Sequence, residues 1–272
     1  MCIAASAKLT EARRTLVLAF LSGAAVATVA GLVGLGGAEF RLPLLIGLFG
    51  FAALEAVVLN KAVSLIVVAA ALLFRSRTVP VAEVILHASI VATLLAGSVL
   101  GAWFGADLAT RLSHRALYRV IAALLLGIAL LLLFAHEPST DSEPTLDGVV
   151  QRIAGVASGF VIGVIASFLG VAGGELLIPT LVLLFGLDIK LAGSLSLAVS
   201  LPTMLVGFTR YSRDKSFKVL TRHRRFLFTM ASGSIAGALI GGLLLGIVPS
   251  ALLIPLLAIV LVLSAVKIWH HK

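Results

Sequence analysis

Two stretches half a chain apart decide the reading, GLGGAEFRLPLL at residues 34–45 and GVAGGELLIPTL at residues 170–181. Aligned without a gap over 34–65 and 170–201, they are identical at 14 of 32 positions, a constant shift of 136 residues. The matches include Pro43 with Pro179, Phe49-Gly50 with Phe185-Gly186, and Ala62-Val63-Ser64-Leu65 with Ala198-Val199-Ser200-Leu201. Further along, His87 falls on His223, and Gly97-Ser98, Gly101-Ala102 and Gly105 fall on Gly233-Ser234, Gly237-Ala238 and Gly241. The sequence therefore reads as an internal duplication over nearly its whole length.

The composition around these motifs is that of a polytopic membrane protein. Of 272 residues 60% are hydrophobic and 12% charged, with mean hydropathy +1.17, whereas soluble domains carry about 25% charged residues. A net charge of +9 and a pI near 10.5 raise nucleic-acid binding, but the basic residues fill the gaps between apolar runs and the aromatics are mostly Phe inside them. That pattern fits the retention of basic loops on the cytoplasmic side, and nucleic acid is rejected as a partner. The single cysteine, Cys2, forms no internal disulfide.

Apolar runs cover 15–38, 42–54, 62–74, 84–106, 120–135, 153–174, 176–187, 191–209 and 226–266, the last divided with the help of Pro249 and Pro255. The fold class predicted is all-α: a polytopic helical membrane protein of two repeats, inverted, with five segments each. Its parts are a cytoplasmic leader 1–14, repeat one 15–135, an acidic linker 136–152, repeat two 153–268 and a tail 269–272. Runs 42–54 and 176–187 reach only about 18–20 Å as helices against a hydrocarbon core of about 30 Å, so they read as half-helices. Lys8, Arg13 and Arg14 before the first run imitate a secretory signal with Ala25-Val26-Ala27 as cleavage site. Recurrence of the same segment in the second half argues for a retained helix.

Counting Lys and Arg places both termini and loop 210–225 in the cytoplasm but leaves the repeat orientation tied. If both short segments cross, inside loops hold 15 and outside loops 5; if neither crosses, the repeats are parallel and the count is again 15 to 5. Arg111, Arg115 and Arg119 exchange places with Arg75, Arg77 and Arg152. Inverted repeats are the preferred reading, with the linker acids Glu137, Asp141, Glu143 and Asp147 outside.

Paired short segments interrupted by Gly and Pro point to a transporter whose site lies between the repeats. A Gly-rich elbow entering a short helix presents backbone N–H groups without intrahelical partners at the positive end of the helix dipole. The predicted anion site is built from Gly34, Gly36 and Gly37 in the first elbow and Gly170, Gly173 and Gly174 in the second. Pro43 and Pro179 are expected in the first turn of the short helices, where a missing N–H costs nothing; the alternative for the glycines is a plain chain turn.

Glu39 and Glu175 occupy equivalent positions, and an ionisable residue inside a membrane is a functional hypothesis by default. Proton handling or gating is the expected role, with helix capping or pairing of Glu39 with Arg41 as the alternative. Lys61, beside Asn60, lies deep within its run, facing an anion or Glu55, or else snorkelling to the interface; Leu197 replaces it in the second repeat. Ser64, Ser196, Ser200 and Thr203, the last beside Pro202, offer hydrogen bonds to an oxyanion or to the backbone. Gly97, Gly101 and Gly105 form a face for close helix packing. His87 and His223 suggest a pH-sensing pair or simple interfacial residues, Arg222, Arg224 and Arg225 read as topology anchors, and His270 and His271 lack metal-ligand spacing.

At the elbows the sequence resembles the TauE/SafE sulfite-exporter family of bacterial membrane permeases. The resemblance rests on the two elbow motifs, each followed about twenty residues later by LNKAVSL or LSLAVSL, and extends over most of 15–268. The family's third elbow glycine is replaced by Ala38 in one copy and Ala172 in the other. The resemblance implies a multi-pass plasma-membrane transporter of small sulfur-containing anions such as sulfite or sulfonates, with no cofactor. The expected mechanism is secondary transport with proton coupling through Glu39 and Glu175. There is no P-loop of the GxxxxGK[ST] form. A membrane-embedded enzyme would lack a nucleophile, metal cluster or HExxH signature. A passive anion channel or non-transporting assembly protein is the other alternative, indifferent to neutralising Glu175 alone.

Overall fold

The computed structural model describes the backbone of residues 2–33, 37–75, 81–134, 148–187 and 189–243, with single residues beyond. Gly34, Gly36, linker residues 136–147 and the prolines at 249 and 255 lie outside the described residues, while linker residues 148–152 form the start of a helix. Eleven α-helices are present among the described residues, with no strand. In chain order they are α1 (Cys2–Val33), α2 (Ala38–Gly47), α3 (Ala53–Arg75), α4 (Val81–Leu86), α5 (Ala88–Arg111), α6 (His114–Phe134), α7 (Gly148–Leu169), α8 (Gly174–Phe185), α9 (Ile189–Tyr211), α10 (Lys218–Arg222) and α11 (Arg224–Leu243). Within them Ala53–Leu72, Ala88–Arg111, Gly148–Leu169 and Leu191–Tyr211 are long and apolar enough to cross a bilayer. This is an all-α, polytopic membrane protein.

The 136-residue shift carries α3 onto α9 at both ends, and the start of α2 onto the start of α8. Positive-φ glycines follow the same shift: Gly37 (φ 68°) with Gly173 (φ 79°), and Gly50 (φ 70°) with Gly186 (φ 65°). Left-handed backbone costs an L-residue free energy that glycine avoids, so the turn before and the turn after each short helix are written into the sequence at the same two places.

Helix pairing crosses between the halves. A Cβ added at Gly97, Gly101 or Gly105 of α5 would strike the carbonyls of Val156, Phe160 and Val164 on α7. Its counterparts Gly233 and Gly237 on α11 lie against the carbonyls of Phe20 and Ala24 on α1. The glycine stripe is thus a backbone-to-backbone contact, and each half lends its first helix to the other.

These contacts also fix directions. Gly97 to Gly105 meets Val156 to Val164 in ascending order, so α5 and α7 run the same way, as do α1 and α11. Ser98 Oγ meets Thr203 Oγ1 at 2.7 Å and Asp107 pairs with Arg210, so α5 and α9 are also co-directional. Parallel repeats would set α5 and α9 against each other; inverted repeats align them. Likewise Phe49 and Phe51 pack on Phe226 (4.8 and 5.3 Å between centroids) and Arg119 lies 5.8 Å over Trp269, placing the α2–α3 turn with the start of α11 and the start of α6 with the C-terminal end. Both groupings agree with the five-plus-five layout.

The prolines depart from expectation. Pro43 is the sixth residue of α2 and Pro179 the sixth of α8, in the second turn and not the first. There a proline withholds the N–H that would bond the carbonyl four residues back. That carbonyl belongs to Glu39 in α2 and to Glu175 in α8, so both glutamates sit on a locally weakened helix.

Candidate functional site

The elbows meet inside the molecule. Glu39 (1% exposed) and Glu175 (7%) come from opposite halves, and their carboxyls are near enough to interact directly. Neither oxygen of Glu39 has a hydrogen-bond partner among the described residues. A buried carboxyl without donors is costly unless a proton or a ligand completes it.

Asn60 ties the two elbows together from α3. One hydrogen of its Nδ2 goes to the Ala38 carbonyl at the start of α2, the other to the Leu169 carbonyl at the end of α7, both at 2.9 Å. Its Oδ1 accepts from Arg41 Nε at 2.8 Å. Arg41, buried on α2, also donates to Ser64 Oγ (2.7 Å) and Ser234 Oγ (3.0 Å). Its partners are neutral oxygens, so pairing with Glu39 through a hydrogen bond does not occur. Its positive charge is satisfied by dipoles and felt by Glu39 at longer range.

Lys61 is 1% exposed, which removes the snorkelling alternative. Among the described residues the ion pairs join Asp107 to Arg111 and Arg210, and Lys61 has no carboxylate. Its Nζ has one long bond to Ser167 Oγ at 3.4 Å and lies 5.6 Å from the centroid of the Tyr211 ring. Tyr211 Oη in turn donates to the Ser167 carbonyl at 2.9 Å, and Ser167 Oγ donates to the Ala102 carbonyl at 2.9 Å. Gly207 makes the room, since a Cβ there would stand 2.7 Å from Nζ. The second elbow closes on the same stretch of α3: a Cβ on Gly170 would run into the Val57 carbonyl and come within 3.2 Å of the Lys61 amide nitrogen. Beside Gly174 there is open space, with nothing within 4 Å of an added Cβ.

The links across the elbows are Asn60, which bonds both, the Glu39–Glu175 pair, and Gly170 against the backbone of Val57 and Lys61; Ser64 joins the first elbow through Arg41. Ser196 and Ser200 are buried nearby in sequence to this second elbow but donate to the backbone, to the Gly193 carbonyl (2.9 Å) and the Ala172 carbonyl (2.7 Å). Thr203 donates to the Val199 carbonyl. His87 and His223 sit at helix joints, His223 edge-on to Phe51 at 5.1 Å. Sequence reasoning missed Arg41 as a network member, along with Ser234, Ser167 and Tyr211. The available signal was an arginine inside an otherwise apolar short helix and a serine, Ser234, repeating Ser98.

No group of three or more His, Cys, Asp or Glu residues suited to a metal occurs among the described residues. Two acids and two bases surround the elbows, with Lys61 the cation least satisfied by protein. Residues 18–268 match the family described as Sulfite exporter TauE/SafE. Curated proteins and solved structures give no match.

Proposed function

The chain belongs to the sulfite exporter TauE/SafE family, and on that footing we propose that it is a secondary transporter binding a small sulfur-containing monoanion between its elbows. The observation carrying this reading is the pairing of Glu39 and Glu175 from opposite halves, with Lys61, buried without a counter-ion among the described residues, on the adjoining stretch of α3 that touches Gly170. With both carboxyls ionised, Glu39, Glu175, Arg41 and Lys61 sum to zero charge. One proton on the glutamate pair removes like-charge repulsion and leaves a single positive charge, which a monoanion neutralises. Proton and anion then travel together, and their summed gradients set the direction.

In this reading Lys61 and the open space at Gly174 receive the anion, assisted by first-turn N–H groups of α8. Asn60 holds the elbows in register, and Arg41 fixes the first elbow to α3 and α11. Rocking one repeat against the other gives alternating access. In this reading the protein lies in the plasma membrane, and the distribution of basic residues supports cytoplasmic termini and a cytoplasmic loop 210–225.

The test is uptake of labelled sulfite into inverted membrane vesicles. Wild type takes up sulfite faster when the bath is more acidic than the lumen, and Glu175→Gln, which fixes that side chain neutral, loses this dependence. Uptake indifferent to the pH gradient in wild type overturns the coupling. Uptake no greater than in protein-free vesicles, for sulfite and for a panel of sulfonates and carboxylates, overturns the transporter reading.

A further inference from the structure

A cation-lined depression lies away from the elbows, at the joint between α10 and α11. It has a volume of about 680 Å³ and is lined by Arg222, His223, Arg224 and Arg225 on one side and by Phe49, Phe51 and Phe226 on another, with Leu16 of α1 at its edge. None of the three arginines has an acidic partner among the described residues. Topology alone asks for positive charge in a loop; it does not ask for an open depression lined by aromatic rings.

Leu16 also lines a second groove of about 240 Å³, which continues along α1 with Arg13, Val17, Phe20 and Leu21 and is flanked by Thr229 of α11. Val17, Phe20 and Leu21 are 51%, 38% and 55% exposed, as side chains facing acyl chains are. A basic depression adjoining an apolar groove across a shared leucine suits one elongated ligand, anionic at one end and hydrocarbon along the rest. A free inorganic anion uses only the first part, and a zwitterionic lipid offers the same phosphodiester but brings a quaternary ammonium that three unpaired arginines repel.

We propose that this is a binding site for a single anionic phospholipid, its phosphodiester held by Arg222, Arg224 and Arg225 and one acyl chain lying against Val17, Phe20 and Leu21. Because α1 and α11 come from different halves, the lipid seals the seam between them. Juxtamembrane arginines attract anionic headgroups in proportion to their number, and losing three weakens retention by on the order of a hundredfold.

The experiment is native mass spectrometry of the purified, full-length protein in detergent, exposed in turn to phosphatidylglycerol, phosphatidylcholine and glycerol 3-phosphate. One phosphatidylglycerol is retained per chain, at least tenfold in preference to phosphatidylcholine, and glycerol 3-phosphate does not compete at equal concentration. The triple variant R222Q/R224Q/R225Q loses the preference, while R222K/R224K/R225K keeps it, which separates loss of charge from loss of fold. Val17→Trp, which fills the groove and leaves the arginines in place, weakens phosphatidylglycerol retention. Equal retention of both lipids by wild type, full competition by glycerol 3-phosphate, or undiminished preference in the Gln variant overturns the proposal.

Discussion

The first elbow is wired and the second is oiled. Around α2, Arg41 gathers Asn60, Ser64 and Ser234 into one hydrogen-bonded network. At the equivalent positions around α8 stand Leu177, Ser196, Ser200 and Ser98, where the leucine joins an apolar cluster with Leu181, Val182, Leu195 and Val199 and the serines turn to the backbone or to Thr203. Yet the two elbows share left-handed glycines, a buried glutamate and an interior proline. The two elbows thus share backbone geometry and differ in side chains. One elbow is pinned to α3 and α11 through a buried guanidinium; the other is held by single hydrogen bonds from Ser200 and Asn60 to its backbone and by an apolar cluster.

Exchanging the two chemistries breaks that comparison most severely. Leu177→Arg puts a guanidinium among leucines with no acceptor network and is expected to abolish folding, a loss above about 4–5 kcal/mol. Arg41→Leu leaves Asn60, Ser64 and Ser234 short of a donor and costs about 3 kcal/mol. Thermal unfolding in detergent and the yield of monodisperse protein read both. A mild Leu177→Arg phenotype would mean that the second elbow hides acceptors of its own.

The helix stripe gives a smaller and symmetric effect. Gly101→Ala and Gly237→Ala each force a Cβ to 2.8 Å from a facing carbonyl carbon, that of Phe160 or of Ala24. Each should cost about 1–3 kcal/mol by overpacking, and the two melting temperatures should fall together. A loss confined to one of them would show that the two interfaces are not equivalent.

Smallest in stability and large in activity is Lys61→Leu, which installs the residue found at its counterpart, Leu197. Removing a buried ammonium with one 3.4 Å bond is neutral or stabilising by about 1 kcal/mol, while sulfite uptake falls to background. A variant that transports at the wild-type rate would exclude Lys61 from the anion path.

Much of this was legible in the sequence because it is local. Glycine at 37 and 173 announces positive φ, and the Gly97–Gly105 stripe announces close packing, since either requirement acts within a few residues. The role of Arg41 was not legible, because its acceptor Ser234 lies 193 residues away, and the nearest acid, Glu39, looked the better partner. The place of Pro43 was misjudged because the elbow glycines start the helix five residues before it. Lys and Arg counts could not orient the halves, being sums that two layouts share, whereas helix directions and end-to-end contacts, such as α5 beside α9 and Phe49 on Phe226, differ between those layouts.

The exchange of first helices also sets a schedule for synthesis. The end of α1 precedes the start of α11, its packing mate, by about 190 residues. At roughly 5–20 residues per second on the ribosome, α1 waits on the order of ten to forty seconds in the bilayer before its partner emerges. Its seam of small residues must meanwhile be shielded by lipid or by the insertion machinery, and neither half of the gene encodes a unit able to finish its own assembly.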